Sequence, residues 1–245
     1  MMPDLLAALI LALSAFVHGA LGFGMPLVAT PLLVLFMDPR SAVLITLIPV
    51  IACNLGSILG ERRWREALRR FWPIPVFTAV GSLSGTQVLL SVDPSPFRLL
   101  LALVLIVYLL VEHLGNGEGR EWQFSAWGLA LMGLIMGLMA GVVNIFSPVV
   151  VVFALHSRMN PALMVATFNL SFITSKSGQL VGFTLGGGLD GQILLQSVLA
   201  LPVVLASLWL GIRLRRRIDH ESYRRLLRYG LWLMAGILIL DWLRA

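Results

Sequence analysis

Gly19-Ala20-Leu21-Gly22-Phe23-Gly24-Met25-Pro26 lies over Gly141-Val142-Val143-Asn144-Ile145-Phe146-Ser147-Pro148 when the chain is shifted by 122 residues without a gap. The same shift lays Met37-Asp38-Pro39 over Met159-Asn160-Pro161, and Asn54-Leu55-Gly56 over Lys176-Ser177-Gly178. After four extra residues, Phe97-Arg98 falls on Tyr223-Arg224. Identity is low, but breaks, prolines and apolar lengths agree, which is the mark of an internal repeat. The halves are 1–118, an N-terminal transmembrane repeat, and 119–245, a C-terminal one. Gly115-Asn116-Gly117-Glu118-Gly119 joins them, a linker by composition.

Each matched octet interrupts a long apolar run. Apolar segments fall at 5–23, 25–37, 41–60, 71–91, 97–114, 125–143, 147–157, 161–183, 190–212 and 224–243. The chain is 58% hydrophobic and 12% charged, against about 25% charged in soluble domains. An all-α polytopic membrane protein follows, with the lipid bilayer as its solvent. Segments 25–37 and 147–157 fall short of the roughly 20 residues of a full span. They read as half-helices or re-entrant elements. Asp4 precedes the first segment, which lacks a small-residue cleavage site and reads as a retained span. The net charge of +6 comes from loop arginines. It speaks for topology and anionic lipid, not for nucleic acid. The single cysteine, Cys53, excludes an intramolecular disulfide and any CxxC site.

Arginine placement orients the halves. Arg62, Arg63, Arg65, Arg69 and Arg70 lie between the third and fourth segments, whereas the matching loop, 182–191, has no arginine. The second half places Arg213, Arg215, Arg216, Arg217, Arg224 and Arg225 one loop later. If basic loops stay inside, the halves have opposite orientation. The expectation is two inverted-topology repeats of about four to five transmembrane helices each, with short broken helices and both termini outside. The protein would be integral to the inner or plasma membrane.

The only lysine, Lys176, lies within an apolar segment with no carboxylate near it in sequence. A lone ammonium there costs roughly 2.5–3.5 kcal/mol and needs a partner. A small anionic substrate would serve. Inverted repeats with broken helices place binding sites near the midplane, at the repeat interface. Breaks at Gly22 to Pro26 and at Asn144 to Pro148 each open a short helix, whose first N–H groups have no intrahelical acceptor. Such N-termini favour anions, so Gly22, Gly24, Asn144 and Ser147 are candidate substrate contacts. Thr174-Ser175-Lys176-Ser177-Gly178-Gln179 is a polar run inside a span, costly unless it lines a cavity or meets another helix. Ser175 and Gln179 join Lys176 as candidates, with Asn54 at the repeat-equivalent position. Ser171 and Ser175 also read as helix–helix contacts. A snorkelling lysine is the plain alternative. His18, four residues before Gly22, is a candidate proton carrier or substrate contact. Gly133, Gly137 and Gly141 read as a close-packing seam, and Trp72, Trp127 and Trp242 as interfacial anchors. Gly81-Ser82-Leu83-Ser84-Gly85 is not a GxSxG nucleophile motif, and no base accompanies it. No HExxH, Walker loop or dinucleotide fingerprint occurs, so neither cofactor nor enzyme activity is expected.

Gly19 to Pro26, Thr30-Pro31, Asp38-Pro39-Arg40-Ser41-Ala42 and the run from Asn54 to Gly60 and Trp64 resemble the TauE/SafE sulfite exporter family, the TSUP permeases. The second copy, Gly137 to Gly178, resembles that family's repeated half. The resemblance implies export or uptake of sulfite, other sulfur oxyanions, organosulfonates or organic acids. Met25-Pro26 stands where a longer glycine run is usual, and Asn144 to Ser147 where glycines are. The expected function is a secondary transporter, an exporter of small anions bound at the midplane between the repeats. The reading is compatible with a homo-oligomer. A non-transporting scaffold or accessory subunit and an anion channel are the alternatives.

Overall fold

The computed structural model describes residues 2–61, 63–93, 96–114, 124–146, 149–150, 153, 161–214, 229, 231–233, 235–240 and 243. The linker, most of 147–157 and the basic stretch from 215 to 225 lie outside them, as do Ser147 and Trp242. Among the described residues the fold is entirely helical. The helices are α1 (Met2–Leu21), α2 (Met25–Val34), α3 (Pro39–Glu61), α4 (Trp64–Phe71), α5 (Pro73–Ser91), α6 (Phe97–Leu114), α7 (Ala126–Val143), α8 (Pro161–Leu185), α9 (Gly191–Leu199) and α10 (Leu201–Leu214).

Pro39–Leu59, Pro73–Ser91 and Ala126–Val143 are each long and apolar enough to cross a membrane. Helices α9 and α10 form one further apolar pair, bent by 44°. The sequence reads that stretch as a single span; Pro202 explains the bend. It has no N–H for the Val198 carbonyl, and its ring crowds that group. Helix α8 has 25 residues, but its polar run lowers its hydropathy. Helix α2 has ten residues, nearly all buried, and so spans only about 15 Å, half a hydrocarbon core.

The arginine-rich connection after α3 departs from the sequence reading as a loop. Trp64–Phe71 is a helix, with Ala67 and Phe71 buried and Arg65, Arg69 and Arg70 exposed. Its apolar positions, four apart, supply the helical period.

The chain forms two compact units that interlace along the sequence. One comprises Met1–Cys53, Asp93–Leu110 and Asp190–Ala245; the other comprises Asn54–Val92 and Val111–Leu189. In the first unit α1 packs on α10 through glycine. A Cβ on Gly19 would meet the Leu208 carbonyl oxygen, and one on Gly211 the Phe16 carbonyl oxygen. In the second unit α5 lies against α7 and α8. A Cβ on Gly141 would lie 2.5 Å from the Ser82 carbonyl oxygen and 2.6 Å from Gly85 Cα. Gly81 and Gly137 meet in the same way one turn earlier. In a membrane such close approach replaces the hydrophobic drive with dispersion contacts between backbones. The two crossings fall at matching offsets in the sequence: 122 residues separate Gly19 from Gly141, and 126 separate Gly85 from Gly211. Each half's first helix therefore packs on a late helix of the other half.

Candidate functional site

The site is built where α7 stops. Asn144 caps α7 at φ 63°, the one non-glycine residue with positive φ among the described residues. Its N–H donates to the Ala140 carbonyl at 2.9 Å. Gly22, its repeat equivalent, has φ 89°, and its N–H donates to the His18 carbonyl at 2.6 Å. Both halves thus end a helix in the same left-handed turn. The chain then restarts alike. The Gly24 carbonyl accepts from the Leu27 N–H at 3.0 Å, and the Phe146 carbonyl from the Val149 N–H at 3.1 Å.

Phe146 fixes the exit from this turn. Its ring stacks on Phe172 at 4.2 Å between centroids, inside a buried cluster with Phe71, Phe153 and Phe168. Phe172 lies one turn before Lys176 on α8, so the stack holds the end of α7 beside the lysine. From the other side, Ser82 Oγ on α5 donates to the Ser175 carbonyl at 2.8 Å. Gln87 Nε2 donates to the Gly182 carbonyl at 2.7 Å. A Cβ on Gly178 would strike the Ala79 carbonyl and Ser82 Oγ, so α8 sits on α5 as closely as α7 does.

Lys176 is buried. Its Nζ donates to Asn144 Oδ1 and to Gln179 Oε1 at 2.6 Å. Gln179 Nε2 in turn donates to the Ala140 carbonyl at 2.6 Å and lies 3.4 Å from Asn144 Oδ1. Three side chains from two helices thus close on the last turn of α7. Carbonyls at a helix C-terminus carry partial negative charge and favour a cation. Both acceptors are neutral amides, so among the described residues Lys176 meets a dipole and two oxygens but no carboxylate. Its third N–H has no partner among the described residues. Snorkelling is excluded by the burial and by these contacts.

Lys176, Asn144 and Gln179 are therefore brought together. Ser175 is adjacent and buried, and its Oγ has no hydrogen-bond partner among the described residues. Among the described residues, Ser171 makes no hydrogen bond to another helix, although its sequence context suggests one. Its Oγ donates to Thr167 O at 2.9 Å in its own helix, a common use of buried hydroxyls. His18, Gly22 and Gly24 belong to the other compact unit. His18 is buried in the last turn of α1. Gly24 has φ 97°, and a Cβ there would meet nothing within 4 Å among the described residues. Its backbone conformation, not crowding, calls for glycine. Asn54 is buried on α3, at the first residue of the second unit. Sequence reasoning missed the contacts of Ser82 and Gln87 with α8; their only signal is polar residues spaced along an apolar span. No group of three His, Cys, Asp or Glu among the described residues could hold a metal ion.

Asn144 combines two demands, a left-handed backbone and an amide oxygen for Lys176. Asn144→Gly keeps the first and loses the second; Asn144→Ala loses both. A left-handed alanine costs about 1–2 kcal/mol. The alanine variant is thus expected to melt roughly 2–6 °C below the glycine variant in detergent. Equal melting temperatures would show that backbone conformation does not limit stability here.

The family model described as sulfite exporter TauE/SafE matches residues 6–238 of the chain. No curated protein and no solved structure matches it.

Proposed function

We propose that this chain, which belongs to the sulfite exporter TauE/SafE family, exports a small anion through a site centred on Lys176. It is an integral membrane protein, and its family is one of membrane transporters. One observation carries the site: a buried lysine held by neutral amide oxygens, with no carboxylate beside it among the described residues. A small anion entering the site supplies the negative charge, and the third N–H points the way to hydrogen-bond it. Ser175 Oγ adds a hydroxyl donor. Asn144 and Gln179 hold the ammonium in place, a different role from direct contact with substrate oxygens. Gly22, Gly24, Asn54 and Ser147 remain proposed contacts on the strength of the repeat, and His18 on its place one turn before Gly22.

The substrate class we favour is sulfite or another sulfur oxyanion, an organosulfonate or a small organic acid. The chain would cross the inner or plasma membrane many times, with halves of opposite orientation. Charge supports that inversion. Shifted by 126 residues, α4 falls on 190–197, the place of α9. Arg63, Arg65, Arg69 and Arg70 flank or lie on α4, whereas α9 reads Gly-Gln-Ile-Leu-Leu-Gln-Ser-Val-Leu. Basic segments are retained on the cytoplasmic side. Membrane potential would drive a monoanion outward with about 2.3 kcal/mol per 100 mV, so export needs no carboxylate relay.

The test is counterflow in proteoliposomes holding the purified protein, with sulfite, sulfate, thiosulfate, sulfonates and small carboxylates compared. Saturable exchange of at least one anion is expected. Linear, non-saturating flux would favour a channel, and no flux with any anion would overturn the proposal.

A further inference from the structure

Helix α4 presents two faces of different chemistry. Ala67 and Phe71 are buried, and both belong to the hydrophobic core of their unit. Arg65, Leu68, Arg69 and Trp72 follow at i, i+3, i+4 and i+7 and so share one other face. All four are exposed, Leu68 at 39% and Trp72 at 53%. Two large apolar side chains and two cations therefore alternate along one open stripe, at the entry to the apolar helix α5. The flanks add more cation. Arg70 stands 5.2 Å over the Phe71 ring, and Arg65 5.1 Å over the Trp64 ring. Among the described residues, only Arg63 of these arginines is matched, by Glu66 at 3.2 Å.

Such a stripe suits neither bulk water nor hydrocarbon. Leucine and tryptophan on the same face as arginine favour the boundary between acyl chains and headgroups. Two arginines at i and i+4 stand one turn apart, and guanidinium recognises phosphate through paired N–H donors. Stacking on Trp64 pre-orders Arg65 for that contact.

We propose that α4 lies in the membrane surface and docks anionic phospholipid. Arg65 and Arg69 hold lipid phosphates, while Leu68 and Trp72 enter the first acyl carbons. The apolar contacts distinguish a lipid from free phosphate, because only a lipid engages both parts of the stripe. The proposal is independent of the anion site at Lys176.

The experiment follows thermal unfolding of the purified full chain in phosphatidylcholine–detergent micelles. Three additions are compared at equal ionic strength: dioleoyl phosphatidylglycerol, more phosphatidylcholine, and inorganic phosphate. Phosphatidylglycerol alone is expected to raise the melting temperature in a saturable way. The Arg65→Gln/Arg69→Gln double variant should need about 25-fold more of it, roughly fivefold for each arginine near a charged surface. Arg213→Gln, at the end of α10, should behave like the wild type. Equal stabilisation by phosphatidylcholine or by phosphate would overturn the proposal, as would an unshifted titration in the double variant. Should the double variant fail to fold, the three wild-type additions decide alone.

Discussion

Replacing Lys176 with methionine is expected to abolish anion transport while leaving a folded protein in the membrane. The two effects separate because opposing costs nearly cancel in the resting protein. Removing the ammonium relieves roughly 2.5–3.5 kcal/mol of insertion cost. It also strands Gln179 Oε1, a buried acceptor, at about 1–3 kcal/mol. Asn144 Oδ1 keeps its 3.4 Å approach to Gln179 Nε2. The melting temperature should therefore move by only a few degrees. Transport has no such compensation, since an anion entering the site would meet no cation. Losing one partner of a buried pair costs about 3–5 kcal/mol, or roughly 150- to 5000-fold in affinity. Lys176→Arg keeps the charge but not the fit, because a longer, planar guanidinium would replace a compact ammonium in a buried site. Partial activity at most is expected from it. Flux per folded molecule in proteoliposomes, normalised by size-exclusion peak area, is the measurement. Wild-type flux in the methionine variant would leave the Lys176 network as a structural tie and no more.

A leucine at Gly141 is expected to do the reverse and remove the fold itself. The added Cβ would lie 2.5 Å from the Ser82 carbonyl oxygen and 2.6 Å from Gly85 Cα. Both are backbone atoms, so no rotamer change makes room and the helices must part. Overpacking costs typically 1–3 kcal/mol when side chains can give; here the upper end or beyond applies. The damage also spreads, because Ser82 ties α5 to the Ser175 carbonyl and Asn144 begins three residues after Gly141. A fall of roughly 10 °C in melting temperature, or failure to elute as a single peak, is the expected outcome. Gly191→Ala is the control, since a Cβ there would meet nothing within 4 Å among the described residues. Gly19→Leu should reproduce the defect from the other unit. A wild-type melting temperature in Gly141→Leu would mean that the α5–α7 crossing is not tight in the folded protein.

What could be read in the sequence was local or periodic. The apolar runs located α1, α3, α5, α6, α7 and α8, and the matched octets located the left-handed turns at Gly22 and Asn144. The polar run around Lys176 announced an unusual helix before any contact was known. The partners of that lysine were not legible. Asn144 lies 32 residues away, and nothing in an amide's local context says which cation it will meet. Helix α4 was hidden by its arginines, which read as a loop until the buried pair Ala67 and Phe71 gave them a helical frame. Gly81 and Gly85 drew notice for the serines between them, yet their use is against α7. Small residues announce close packing but not the partner.

The interlaced units set a schedule for synthesis. Gly19 is made among the first residues, but its counterpart Gly211 follows 192 positions later. At about 5–20 residues per second, α1 waits roughly 10–40 s in the bilayer before α10 exists. In that interval its glycine face must remain uncommitted or be covered by something else, such as lipid, the insertion machinery or another nascent helix. The second unit has a shorter delay, because α5 and α7 are separated by fewer residues. A ribosome releasing the first half alone would deliver helices whose proper neighbours are still untranslated. A break in the middle of the message would therefore yield no working fragment, only half of each crossing.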